Sequence, residues 1–539
     1  MMTRASNSAA HKPRRLNQQN SKLMKRHIGM AFTLALCGMA FGSTLLAASP
    51  AKNTVIVYCA AGLKKPVEAV AEQYRTETGA EVQLQYGGTG TLLAQIRLAK
   101  KGDLFIAADD GTLADARKFD VIREVIPLAR QHPVIAVRKG NPKGIKSLAD
   151  LLRDGVRVAL ANHEAASVGK ATVAALGEDY APLAAHAIVT KPTVTEIAND
   201  LKLGAVDAAI IWDSTVNTFT GLEAVEVPEL SGRVENASVA VLGFAKESAA
   251  ALRFARYLAA PEKGGEVFKK AGFNPVPGDT WAAKPELNLY SGGVNRPAIE
   301  GLLREFADRE GAEITTVFNG CGVLCASMKA MAEARNPRFP DAYYACDLCF
   351  VPPVAKYFPE AVVLTETDIG LAVQKGNPRA IHTLADLAQP GLRVGVCNAQ
   401  QSTLGFITRG LLRRVNLETN VQKNVVVQVP TADFLINQLR AGALDAAIVY
   451  RVNAAPQNAH LDYLPLDQAG AKAVQPFSVR GDSARRQLAT RLLDYLRAHH
   501  SRFETAGFRW RGEAAIKSSD IKVPDWLLAN DAKLNPAKQ

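Results

Sequence analysis

The chain repeats itself, and that repetition limits the folds open to it more than any other feature. Gly87-Gly88-Thr89-Gly90-Thr91-Leu92-Leu93 follows the strand-like Val82–Tyr86 and runs on to Asp103-Leu104-Phe105-Ile106-Ala107-Ala108-Asp109. Phe318-Asn319-Gly320-Cys321-Gly322-Val323-Leu324 opens the same pattern later in the chain, and Asp341 and Asp347 close it at the spacing of Asp103 and Asp109. Both read as strand, glycine-rich loop, helix, strand. Further pairs keep the same order. The segment from Val57 to Pro66 parallels Asn288 to Pro297, Lys139-Gly140-Asn141-Pro142 matches Lys375-Gly376-Asn377-Pro378, and Asp207-Ala208-Ala209-Ile210-Ile211-Trp212 matches Asp445-Ala446-Ala447-Ile448-Val449-Tyr450. An unchanged order of matched segments is the mark of a tandem duplication.

A chain of 539 residues exceeds a single hydrophobic core. The first copy is placed at 53–280 and the second at 285–526, joined through Pro275–Asp279 and Pro285, with a tail at 527–539. Within each copy short β-branched runs alternate with helical patterns, which predicts an α/β fold on mainly parallel sheets. The length of a copy, with Lys-Gly-Asn-Pro near its middle, predicts two lobes and a hinge. The middle lobes fall at about 132–216 and 368–451.

The net charge of +12 overstates how basic the folded part is. Seven Lys and Arg and no acid lie in residues 1–27, leaving +5 for the rest. That is a poor match to nucleic acid, which requires a clustered basic face. The basic flank, the uncharged run Ile28–Leu46 and the small residues Ala47-Ala48-Ser49 read together as a signal peptide over residues 1–48. Export to the periplasm follows, with an uncleaved N-terminal anchor as the alternative.

In open α/β sheets, ligands sit beyond the carboxyl ends of strands, where helix N-termini direct unpaired amides into a crevice. The first copy offers Ala60-Ala61-Gly62, Gly88-Thr89-Gly90, Ala107-Ala108, Ser167-Val168-Gly169 and Thr193-Val194, with Trp212 ending an apolar strand. Thr89, Ser167 and Thr193 add hydroxyls, and these turns contain no Lys or Arg. Neutral dipoles of this kind suit a small oxyanion. Helix capping is the competing reading of any one turn. Its recurrence across several turns and two copies favours a site. No Ser-His-Asp or paired-carboxylate arrangement emerges from the spacing, so no enzyme is expected, and no cofactor.

On these residues both copies resemble the periplasmic molybdate-binding proteins of ABC importers, within the type II periplasmic-binding-protein fold. The motifs that carry the resemblance are the Ala-Ala-Gly-Leu turn, Gly-Thr-Gly-Thr-Leu-Leu-Ala-Gln-Ile, Asp103 to Asp109, Val168-Gly169 and the strand ending at Trp212. The resemblance implies a molybdate- or tungstate-like dianion, lobe closure around it, and delivery to a permease. It puts ligand contacts at Gly62, Thr89, Ala108, Val168, Val194 and Trp212, and in the second copy at Gly293, Cys321, Cys346, Leu404, Ala432 and Tyr450. Glycine at 62 and 293 replaces a serine of the family, and a Trp N–H donates but does not accept.

Five of the seven cysteines fall in the second copy: Cys321, Cys325, Cys346, Cys349 and Cys397. In an oxidising compartment one or two disulfides are the leading expectation. The alternatives are free buried thiols, a soft-metal site, and a thiol redox protein using Cys346-x2-Cys349.

Overall fold

A computed structural model describes residues 54–528. The expected signal peptide and most of the expected tail lie outside the described residues. In the first half a six-stranded sheet has the order Asn274–Pro275, Ile122–Gln131, Glu235–Leu242, Leu104–Ala107, Thr54–Ala60, Glu81–Gly87. A second sheet of five strands runs Val189–Lys191, Val158–Ala161, Ala208–Trp212, Pro133–Arg138, Leu222–Val225. Helices cover both. The whole is α/β, as the alternation of patterns predicts.

The sheets are mixed and not mainly parallel. Parallel pairing is confined to Thr54–Ala60 with its two neighbours and to Val158–Ala161 with its two neighbours. The strands that carry the chain out of the first sheet and back enter from the other end and pair antiparallel. Two-lobed connectivity imposes this, because a chain that leaves a lobe and returns must reverse direction.

The second half repeats the plan with one change. Its outgoing strand, Glu360–Gln374, runs unbroken through both sheets and joins them into one path, whereas the first half interrupts that strand between Gln131 and Pro133. Local chemistry is duplicated in detail. Asn141 and Asn377 take the left-handed conformation, and each side chain bonds the backbone N–H and C=O four residues on, at Ile145 and Ile381. Arg157 pairs with Asp207 as Arg393 pairs with Asp445. Asp103 accepts from the Ile56 amide and Asp341 from the Asn288 amide. The equally spaced aspartates are therefore structural: Asp109 and Asp347 likewise cap turns through the Thr112 and Cys349 amides.

The helices are amphipathic against these sheets. Val194–Leu203 buries Val194, Ile197, Ala198 and Leu201 at helical spacing, starts at the Thr193 cap and stops at left-handed Gly204. Arg486–Ala498 buries Leu488, Leu492 and Leu496 likewise.

The halves are joined by buried charge. Glu310, fully buried, receives Arg491 Nε at 2.6 Å and Nη2 at 3.0 Å, and Arg256 Nη1 at 3.0 Å. Arg256 belongs to the first half, the two partners to the second. Burial pushes the Glu310 carboxyl up, and the two guanidinium groups overcome it and hold the acid below its ordinary range. Arg309 and Glu124 make a second bridge, and Asp279 of the connecting segment caps Arg486–Ala498 through the Gln487 and Leu488 amides. Among the described residues no helix is long and apolar enough to cross a membrane.

Candidate functional site

In the first half a narrow cleft opens between the two sheets. Ala60, Ala61, Gly62, Thr89, Ala108, Gln131, Ser167, Thr193, Val194 and Trp212 line it, with no charged side chain among them. Of the six expected contact residues, five line this cleft. At the remaining turn the lining residue is Ser167, while Val168 is fully buried among apolar neighbours.

The turns face the cleft because of how their helices begin. Thr89–Ala99 starts after Gly88 and Ser167–Leu176 after Ala166, neither with a side-chain cap; in the first the Ala165 carbonyl takes the Gly90 and Thr91 amides and leaves that of Thr89 for the cleft, while the second keeps its first-turn amides. Val194–Leu203 differs. Thr193 Oγ1 accepts from the Glu196 amide and donates to its carboxylate, so this hydroxyl, expected as a ligand donor, is committed to the cap.

Two buried donors lack partners here. The Trp212 indole Nε1 is one, in a side chain 1% exposed, and the Thr215 hydroxyl is the other, also 1% exposed. Buried polar groups are almost always satisfied. A Cβ on Gly62 would stand 3.5 Å from Thr215 Oγ1 and 3.0 Å from Val194 Cγ2. Thr215 thus brings a hydroxyl to the edge of the space that the absent serine side chain would fill. Gln131 orders the turn opposite, donating to the Ala108 carbonyl at 2.8 Å while accepting from Ser214 at 2.7 Å. Neither Thr215 nor Gln131 is marked by any local motif.

The glycine-rich turn has a further duty. Gly90 donates its amide to the Ala165 carbonyl on the opposite side of the cleft at 2.9 Å. A Cβ on Gly88 would collide with the Ala165 and Pro192 carbonyls, and one on Gly90 with the Glu164 carbonyl. The same holds at Gly320 against Gln401 and Pro430, and at Gly322 against Gln400. Both halves need glycine here for backbone to approach backbone.

In the second half the corresponding residues converge on sulfur. Cys321 begins the helix Cys321–Glu333, and the Cys346 amide donates to its Sγ at 3.0 Å. Burial pushes the Cys321 thiol up, but hydrogen bonding, from Cys346 first, outweighs it and holds the thiol below its ordinary value. Cys346 is driven well above its ordinary value by bonding to Cys321 and by burial. Its sulfur rides against Gly292, and Gln475 holds its carbonyl at 3.1 Å, as Gln131 holds that of Ala108. A Cβ on Gly293 would meet Thr431 at 3.2 Å. Leu404 and Ala432 are buried, and Tyr450 is 3% exposed with its hydroxyl unpartnered.

The disulfide expectation is not met: Cys59, Cys321, Cys325, Cys346, Cys349 and Cys397 are all free and buried. Cys325 turns to Tyr343 and the Phe350 carbonyl, and burial pushes it up to about 12, as it does Cys397. Cys349 is pushed well above its ordinary value by burial and by Asp347, the opposite of a reactive redox thiol. Among the described residues no group of three or more His, Cys, Asp or Glu is placed to hold a metal ion. Each thiol is engaged by different neighbours, and spacing along the chain does not reveal that.

The profile of one family, the bacterial extracellular solute-binding proteins, matches residues 55–274 and again 287–509. The chain belongs to that family. This solute-binding protein therefore comes from a non-enzymatic group, present here in tandem. A putative binding protein of Haemophilus influenzae is 32% identical over 160 residues, 29% of this chain and 65% of that protein. The molybdate-binding protein of Mycobacterium tuberculosis is 27% identical over 254 residues, 46% of this chain and 96% of that protein, so such a relative has the length of about one half of this one. A sulfate-binding protein of Synechococcus elongatus is 27% identical over 143 residues, 24% of this chain and 41% of that protein. Among solved structures, the substrate-binding domain of a putative molybdenum ABC transporter from Clostridium difficile aligns with a TM-score of 0.33 at 21% identity, over 41% of this chain and 99% of that one.

Proposed function

We propose that the first half captures a tetrahedral oxyanion of the molybdate and tungstate class by closing its two lobes, in the periplasm, for delivery to the permease of an ABC importer. The observation that carries this is the uncharged cleft with unpartnered donors. Uncapped helix amides at Thr89 and Ser167, the Trp212 N–H and the Thr215 hydroxyl converge where no Lys or Arg stands. Dipoles fixed in this way offset charge without a counter-ion. Gly62, Thr89, Ala108, Val194 and Trp212 are the proposed contacts, with Thr215 supplying the hydroxyl missing at Gly62. The Gly88 and Gly90 approach to the opposite lobe serves as the latch of closure. The relatives named for molybdate, one of them matched over nearly its whole length, support this choice of anion. The N-terminal basic and apolar segment supports export.

Isothermal titration of the mature chain with molybdate, tungstate and sulfate tests the reading. Heat with the first two and little with sulfate is expected. Absence of heat with every oxyanion overturns it.

A further inference from the structure

A cavity of about 390 Å³ lies in the second half, walled by the strands Val394–Cys397 and Val425–Val429 and the helices Thr403–Arg414 and Glu418–Gln422. We infer that it binds a small uncharged polyol, a molecule of monosaccharide size. The first sign is Thr408. Its side chain is 3% exposed, it lines the cavity, and its hydroxyl has no hydrogen-bond partner. A threonine inside a helix can satisfy its hydroxyl by bonding back to the carbonyl four residues before it. The matching Thr172 of the first half does so, donating to the Val168 carbonyl at 2.7 Å. The match is fixed by Asn162 and Asn398, each ten residues earlier, whose side chains accept from the amides two and three positions on. A buried hydroxyl that forgoes its own helix at the wall of a cavity marks a place for a further polar group.

Neighbouring residues set the chemistry of that group. Glu418 is the one carboxylate lining the cavity, and it accepts from Arg409 Nε at 2.9 Å and from Arg413 Nε at 2.7 Å. A ligand carboxylate would compete with Glu418 for the guanidinium groups, and a ligand ammonium would compete with them for Glu418. Charge on the ligand therefore gains little. The side chains of Asn398, Gln400, Gln422 and Gln428 also line the cavity, the last three on exposed residues that form its mouth. A primary amide both donates and accepts, and so does each hydroxyl of a polyol. Buried Val396, Leu412 and Val421 give an apolar wall for the C–H face of such a molecule. A purely apolar ligand would strip water from the amides and replace none of its hydrogen bonds.

Size narrows the class further. Pockets for small ligands begin at about 300 Å³, so this one suits a single sugar ring and not a chain of them. Ala399 adds little bulk to the wall, whereas the first half has His163 at the matching position, its ring edge-on to Tyr180 with centroids 6.3 Å apart.

The test uses the full mature chain, with saturation-transfer NMR titrations of glycerol, D-ribose, D-glucose and myo-inositol, and with glycine and acetate as charged controls. At least one polyol should saturate a single site per chain, and each control should bind at least about tenfold more weakly. Thr408→Val, which removes the hydroxyl at nearly constant volume, should weaken that polyol at least about fivefold. Ala399→Trp, which fills the cavity, should abolish its binding, and Thr172→Val, the same hydroxyl deletion in the first half, should leave it unaltered. Melting temperatures check that each variant folds. A folded wild type that binds none of the four polyols, an affinity unmoved by both Thr408→Val and Ala399→Trp, or tighter binding of glycine or acetate overturns the proposal. Molybdate should not displace the polyol; displacement would put the polyol in the first cleft and overturn this site, whereas the polyol result stands whether or not molybdate binds.

Discussion

The matching sites of the two halves share their mechanics and differ in their chemistry. Gly88 and Gly90 press against carbonyls across the first cleft as Gly320 and Gly322 do at the matching turn of the second half. A glutamine side chain fixes the carbonyl of the Ala108 turn in one and of the Cys346 turn in the other. The donors have parted. Thr89 gives way to Cys321, Ala108 to Cys346 and Trp212 to Tyr450. Parts that set backbone approach tolerate no side chain, whereas parts that face the cleft change without disturbing the fold.

The largest expected effect tests what the halves share. Glu310→Gln leaves Arg256 and Arg491 buried without a counter-charge and should cost about 3–5 kcal/mol, read by denaturant unfolding. A change well below that would mean the clefts do not hang on a common base. The same carboxylate predicts a pH dependence. Its folded pKa lies below the unfolded one, so its stabilisation is complete above about pH 4.3 and is lost as pH falls through the folded value. Glu310→Gln should flatten that acid limb.

Next comes the close approach. Gly90→Val should weaken molybdate binding at least about 100-fold, close to 3 kcal/mol, while Gly322→Val leaves it intact. Equal losses from both would break the proposed division between the clefts. Thr89→Cys converts one donor of the first cleft into that of the second and should cost about 1.5–3 kcal/mol of oxyanion affinity, measured by titration. The smallest change is Thr215→Val, which removes a hydroxyl at nearly constant volume and should lose about 1 kcal/mol. An unaltered affinity would return Thr215 to a packing role.

Much of this was legible because it is local or repeated. The duplication, the α/β alternation and the small-residue turns each rest on short segments, and five of the six turn residues expected at the first site line one cleft. What was hidden depends on distant segments meeting. Nothing around Thr215 marks its hydroxyl, whose significance comes from its distance to Gly62. The reason for glycine at 88 and 90 lies in Ala165 and Glu164, brought there by tertiary folding. Cysteine count and compartment pointed to disulfides, but the helix and strand geometry leaves six thiols free, each with its own neighbours. Mixed pairing in the sheets follows from the chain's path between lobes, which strand composition does not encode.

The buried triad of Arg256, Glu310 and Arg491 has a consequence for descent. A lineage that discards the second half must return Arg256 and its surroundings to water. One that keeps it is free to change elsewhere in that half, because none of the three residues lines the first cleft. Selection can therefore retain a diverged copy for the sake of its seam alone.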